Sequence, residues 1–352
     1  MNVQATVHTQ QHYRVRIVLL VLSVLLAALM LLSLCLGRYP VSPHTALQIL
    51  WSGMTGLVPS VPTWTGTDVL VVNTVRLPRV VVASLAGAAL GLSGATLQGL
   101  FRNPLVGPQV VGISNGAAWG GVVAILLGAS SVGSLAWTFG FAMLALVAVF
   151  SLSRLSGNAS IMSVVLAGII VSAFFTALVG LAEFLADAER QLPGIVYWLL
   201  GSFATVTRTS LWVIGLPVLI AGIPLLLMRW HINVLSLGDE TATALGLRAP
   251  QLRWLVLCLV TLLVTAQVSV SGAVGWVGLV VPHIARRLVG PNHQALLPAS
   301  TLLGALYLLG MDDIARTMAE QELPIGVLTA LMGAPVFAVV FWRSQARGWV
   351  RE

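Results

Sequence analysis

Few residues in this chain could do chemistry, and they are widely spaced. The six histidines are His8, His12, His44, His231, His283 and His293, and none belongs to an HExxH motif. His8 and His12 share a helical spacing but precede the first apolar run, and His283, beside Pro282, reads as structural. Carboxylates within apolar stretches reduce to the adjacent pair Asp312 and Asp313, with Glu183 and Asp187 near the end of another run. A proton- or ion-coupled carrier relays charge through intramembrane carboxylates or histidines, and one aspartate pair is a slender basis for that. Neither a phosphate-cradling GxxxxGK[ST] loop nor a GxSxG elbow is present. The chain therefore offers no sequence basis for hydrolysing ATP or for acyl transfer. Cys35 and Cys258 lie far apart in apolar runs and read as packing residues.

The elements that must hold these residues are set by composition. Of 352 residues, 58% are hydrophobic and 8% charged, with a mean hydropathy of +0.96. A soluble domain carries roughly 25% charged residues, so this chain has too little charge to cover a surface in water. That excludes a soluble enzyme, a disordered chain and a nucleic-acid binder. Apolar runs fall near 17–36, 78–100, 109–128, 134–153, 161–185, 209–228, 252–270, 274–289, 298–316 and 325–342. A helical span needs roughly 20 apolar residues, and continuous rather than alternating runs argue against a β-barrel. The expectation is an all-α polytopic bundle of about ten transmembrane helices, a single domain over 1–352.

The net charge of +7 comes from arginine, since all 18 basic residues are Arg. With ten spans and a cytoplasmic N-terminus, twelve arginines fall inside and six outside, as the positive-inside rule requires. Both termini are then cytoplasmic. Arg14 and Arg16 precede a first run too long for a signal peptide, and Leu34 is too large to precede a lipoprotein cysteine at 35, so this helix is read as uncleaved.

Several segments interrupt the spans. Residues 38–73 form a polar outer stretch with an amphipathic turn at 46–51. The apolar piece 192–203 is too short to cross. Residues 103–116 hold two prolines, three glycines and two asparagines between apolar runs. Irregular backbone at membrane depth survives only inside protein or beside a water-filled cavity, where it often lines a transport site. The inner segment 231–251 places Asp239 and Glu240 at the start of a short helical pattern that Gly246 ends, after a turn at Gly238. Glycines spaced by four (Gly87/Gly91 and Gly112/Gly116/Gly120) signal close helix packing.

Read in order, the motifs resemble one family. They are Arg76-Leu-Pro-Arg79, Gly94-Ala-Thr-Leu-Gln98, Arg102-Asn-Pro-Leu105, Gly112-Ile-Ser-Asn-Gly-Ala117, Tyr197-Trp-Leu-Leu-Gly201, Leu237-Gly-Asp-Glu240, Gly278-Leu-Val-Val-Pro-His-Ile-Ala-Arg286, Glu322-Leu-Pro-Ile-Gly-Val327 and Gly333-Ala-Pro335. Over about 15–345 the chain is similar to the FecCD/BtuC-type permeases of bacterial type II ABC importers, which take up ferric siderophores, haem and cobalamin. The resemblance implies an inner-membrane subunit, a BtuC-like fold and a second permease copy. It also implies two ATPase subunits that bind ATP and Mg, a periplasmic binding protein, and no cofactor or metal in this chain.

Roles follow from the same resemblance. Arg76, Arg79 and Arg316 match arginines that dock the binding protein. Residues 235–248, with Ser236, Leu237, Gly238, Asp239, Glu240, Ala242 and Gly246, match the coupling helices seated on the ATPase. Asn103, Pro104, Gly107, Gly112, Ser114, Asn115 and Gly116, with Ser160, Ile161 and Met162, match the pathway and its gate, the last two being more apolar than a Thr/Ser pair. The family's range makes a ferric chelate the first expectation for cargo and cobalamin the alternative. An ion-coupled secondary transporter and a non-transporting scaffold are the readings from other classes.

Overall fold

The computed structural model describes residues 3–56, 64–155 and 161–345, and among them every regular element is helical. The chain opens with α1 (Val3–Cys35) and a surface helix, α2 (Pro43–Thr55). A short α3 (Gly66–Leu70) continues through a π-helical turn (Val71–Arg76) into α4 (Leu77–Leu100). Then come α5 (Ile113–Leu126), α6 (Ser131–Leu155), α7 (Ile161–Leu185) and the short α8 (Leu192–Leu200). Next, α9 (Arg208–Pro217) passes through a second π-turn (Val218–Gly222) into α10 (Ile223–Leu227). Two short helices follow, α11 (Arg229–Leu235) and α12 (Asp239–Ala244), and then α13 (Ala249–Ser271), α14 (Val277–Val289), α15 (His293–Thr317) and α16 (Ile325–Gln345).

Each of the ten expected apolar runs is thus a helix or a continuous pair. Seven are long and apolar enough to cross a membrane. The 13 residues of α14 rise about 20 Å at 1.5 Å per residue, short of a hydrocarbon core of about 30 Å. Both π-turns sit just ahead of a proline. The rings of Pro78 and Pro224 would strike the carbonyls of Thr74 and Ile220, four residues earlier, and widening the helix there relieves the clash.

The bundle is built around α4. In the most apolar window of the Gly66–Leu100 run, 83% of residues are buried, against 17% for α1 and 28% for α6 and α7. Glycine makes this possible. A Cβ at Gly87 would sit 2.1 Å from the Gly304 carbonyl oxygen of α15, and one at Gly94 would sit 1.9 Å from the Gly278 oxygen of α14. The backbones touch there, which is how transmembrane helices associate without a hydrophobic driving force. Gly116 and Gly120 bring α5 against α6 in the same way, over the carbonyls of Phe141 and Trp137. Gly87→Ala is therefore expected to lower the thermal midpoint of the detergent-solubilised protein, while Gly140→Ala, which meets nothing within 4 Å, leaves it unchanged. Equal midpoints would contradict this packing.

Candidate functional site

After α4 ends, the chain turns back into the bundle. Pro108 touches Gly278, and Gly278 lies against Gly94, six residues up α4, or about 9 Å from its end. Gly112, with φ +83°, redirects the chain into α5. A second break, between α13 and α14, lies at the same depth, and a third follows α8. They are stitched together: Ser202 N–H donates to the Ser271 carbonyl at 2.9 Å, Ile325 N–H to that of Gly201 at 2.9 Å, and the Gln267 amide to that of Gly272 at 3.0 Å. The irregular backbone is thus satisfied by helix ends and a side-chain amide, which meets the requirement for such segments within a membrane.

Between these breaks and α7 lies a cavity of about 260 Å³. Its polar lining is Gln109, Ser114, Asn115 and Thr176, and its apolar walls include Leu199, Val268 and Ala273. None of its lining residues is ionisable. Asn115 donates to the Thr176 hydroxyl at 3.0 Å, and the Ser172 hydroxyl to the Gln109 carbonyl at 3.0 Å. Of the expected pathway residues, Ser114 and Asn115 line this cavity. Gly107 packs on Leu279, and Asn103 steadies its own loop by accepting from Leu105 N–H at 2.9 Å. Pro104 lies half-buried in the same loop. Gly116 is turned away from this cavity into the contact with α6. Ser160 lies outside the described residues. Ile161 and Met162 begin α7, and their side chains lie outside the description as well. Gln109 and Thr176 were missed, although the i,i+4 pair Ser172 and Thr176 in an otherwise apolar run signals a polar face.

At the end of the bundle shared by the C-termini of α4 and α6 and the N-terminus of α13, α11 and α12 form a helix–turn–helix. Gly238, at φ +120°, makes the turn, and Gly246, at φ +79°, ends α12. Leu235 and Ala242 are buried and hold the pair to the bundle, while Leu237, Glu240 and Leu245 are exposed. The Ser236 hydroxyl donates back to the Asn233 carbonyl, and Asp239 pairs with Arg253. The expected coupling segment is thus a rigid projection bearing two leucines and an acid.

At the opposite end, Arg76, Arg79 and Arg316 are turned inward, and none offers a free guanidinium to an outside partner. Arg79 grips Asp312 through Nε and Nη2 at 2.9–3.1 Å and both oxygens of Glu322 at 2.9 Å. Arg316 pairs with Asp313 and donates to the Ser33 and Leu36 carbonyls. Arg76 donates to the Leu34, Cys35 and Tyr39 carbonyls. Two guanidiniums therefore cap the carbonyls at the end of α1, where cations suit the helix dipole. The aspartates that an ion-coupled carrier would use are spent on arginines. His283 faces the Leu279 carbonyl of its own helix at 3.1 Å.

An all-helical membrane bundle with an uncharged internal cavity, broken helices around it and a projecting helix–turn–helix defines a transport permease. The chain belongs to the FecCD transport family, which matches residues 16–343. It is 44% identical to the molybdate import system permease protein MolB of Haemophilus influenzae, over 94% of this chain and 96% of that one. It is 37% identical to the vitamin B12 import system permease protein BtuC of Klebsiella pneumoniae, over 97% and 98%. Among solved structures it is similar to a metal-chelate type ABC transporter in an inward-facing conformation, with a TM-score of 0.81 and 42% identity over 92% and 98% of the two chains. The chain is accordingly a multi-pass ABC importer permease, of a family whose ATPase activity resides in partner subunits.

Two predictions follow from the outer charge cluster. Asp312 is fully buried, so Arg79→Ala strands its charge and costs about 3–5 kcal/mol of stability, read as a lower thermal midpoint. Glu322, beyond the end of α15, is held below the usual carboxylate range by its hydrogen bonds to Arg79. A depressed folded pKa gives stability that is present above the ordinary value of about 4.3 and lost as pH falls through the lower folded value. Glu322→Gln should flatten that acid limb of a midpoint-versus-pH curve. An unchanged limb would remove Glu322 from the account.

Proposed function

We propose that this chain forms the transmembrane pathway of an inner-membrane importer for a ferric chelate, siderophore or haem. Two copies pair around a central route, two ATPase subunits sit on α11 and α12, and a periplasmic binding protein delivers cargo to the opposite face. The observation that carries this reading is the cavity whose lining holds amides and hydroxyls but no ionised group. Such walls let a bulky complex pass without trapping it. The likeness to a metal-chelate type transporter supports the same cargo class. ATP binding closes the ATPase pair and moves the coupling helices, and the bundle then exchanges access between its faces. Docking through Arg76, Arg79 or Arg316 takes an exchange of partners: a carboxylate of the binding protein displaces Glu322, the half-exposed partner of Arg79.

A second cargo is favoured by one observation. The 44% identity to a molybdate permease over nearly the whole chain points to a metal oxyanion, for which neutral hydrogen-bond donors such as Gln109 and Asn115 are suitable contacts. The B12 permease relative keeps cobalamin as the next alternative. Calorimetry on the co-encoded binding protein with ferric siderophores, haem, molybdate and cobalamin separates them, followed by uptake of the bound ligand into proteoliposomes. A ferric chelate should bind tightly and enter only when permease, ATPase, binding protein and ATP are all present. Tight binding of molybdate alone would replace the first cargo by the second. Uptake by the permease alone would overturn the importer reading.

The coupling role has its own test. Leu237→Ala with Glu240→Ala removes exposed groups only, so the fold should persist while association with the ATPase weakens about ten-fold or more. Undiminished association, measured by co-purification from detergent, would release α11 and α12 from that role.

A further inference from the structure

A second cavity, of about 230 Å³, opens at the end of the bundle that carries α11 and α12. It lies between the end of α4, the last turns of α6, the start of α7 and the first turns of α13. Its floor is apolar, formed by Leu100, Phe101, Val164 and Leu257. Across its side, Phe150 of α6 and Trp254 of α13 stack with ring centroids 4.0 Å apart. Arg154, Arg253, Asp239 and Pro250 complete the lining. Arg154, in the last turn of α6, has no hydrogen-bond or ion-pair partner among the described residues. Arg253 is paired with Asp239. Arg102 adds a third guanidinium close by, its Nη1 lying 3.3 Å from where a Gly238 Cβ would stand. Leu152 and Leu155, either side of Arg154 in sequence, are exposed, so this end of α6 presents apolar surface near the cavity mouth.

We propose that this cavity binds the phosphate headgroup of an anionic phospholipid from the cytoplasmic leaflet. Guanidiniums are planar forks that match phosphate oxygens two at a time. Two of them against one carboxylate leave the lining net positive, as an anionic ligand requires. The apolar floor and exposed leucines take an acyl chain, which a free phosphate ion could not use. Basic pockets between helices on the cytoplasmic side are suited to anionic headgroups, and an aromatic pair at that level is at home in the interface. A bound phosphate competes with Asp239 for Arg253. Asp239 is the first residue of α12, so lipid charge reaches the coupling segment. This consequence, unlike the binding, rests on α11 and α12 engaging an ATPase.

The test uses the full-length permease in detergent, with phosphatidylglycerol and phosphatidylcholine as probes and retained lipid read by native mass spectrometry. Phosphatidylglycerol should be retained in preference to phosphatidylcholine. Arg154→Gln, at an exposed and unpartnered site, should weaken that retention about five-fold, the worth of one arginine near a charged leaflet. Trp254→Leu should weaken it as well, and Arg190→Gln, at the outer end, should not. Millimolar inorganic phosphate should fail to displace the lipid. Equal retention by Arg154→Gln and Arg190→Gln would overturn the proposal, and displacement by inorganic phosphate would overturn the lipid as ligand in favour of a free anion. In proteoliposomes with the partner ATPase, phosphatidylglycerol should change ATP hydrolysis in the wild type and not in Arg154→Gln. Intact binding without that effect would overturn the link to coupling alone.

Discussion

The outer end of this bundle depends on a guanidinium and a carboxylate taken out of water together. Asp312 has no exposed surface and Arg79 very little. Either charge alone at that depth would be prohibitive, whereas the pair with multiple hydrogen bonds is tolerable. The contact joins α4 to α15, the same two helices that glycine brings backbone to backbone about two turns deeper. Arg76 and Arg316 extend the cluster to the end of α1, which has little packing of its own. One constraint, that no buried charge at this end be left without a polar partner, therefore ties three helices to one another.

A second constraint shapes the interior. Backbone that leaves helical geometry within a bilayer has to find partners in protein. Here the breaks after α8 and after α13 are bonded to each other, the break after α4 is closed by local turns and by Ser172 of α7, and the cavity forms where the three meet. The irregular segments are therefore what makes an internal space possible in a tightly packed bundle. Around it Ser172 and Gln267 satisfy local carbonyls, while in the lining itself Asn115 and Thr176 bond to each other.

Much of this was legible in the sequence. Hydropathy located all ten helical runs, because a lipid-facing surface forces continuous apolar stretches. The turn at Gly238 and the short helix from Asp239 followed from glycine and acidic residues at helix-start positions. Residues 103–116 stood out because prolines and glycines in an apolar context demand a reason. What the sequence did not show has one cause. Sequence places Arg76, Arg79 and Arg316 near helix ends but does not show what holds them there: Arg79 is gripped by an aspartate 233 residues away, Arg316 by Asp313, and Arg76 by carbonyls at the end of α1. Gly116 follows Ser114 and Asn115 in the same run, but successive helical residues point in different directions, so it faces α6 while they line the cavity. Gln109 and Thr176 were missed because membership of a cavity is a property of converging elements.

The central claim is that the uncharged cavity is the transport route. Thr176→Cys in a background lacking Cys35 and Cys258 tests it most directly, with outward-facing Leu166→Cys for comparison and a membrane-impermeant thiol reagent as probe. The account predicts that Thr176→Cys is modified from one side of the membrane at a time in the assembled transporter, and that the accessible side changes when nucleotide traps the ATPase, while Leu166→Cys stays unreactive throughout. A Thr176→Cys that reacts no faster than Leu166→Cys in either state would contradict it.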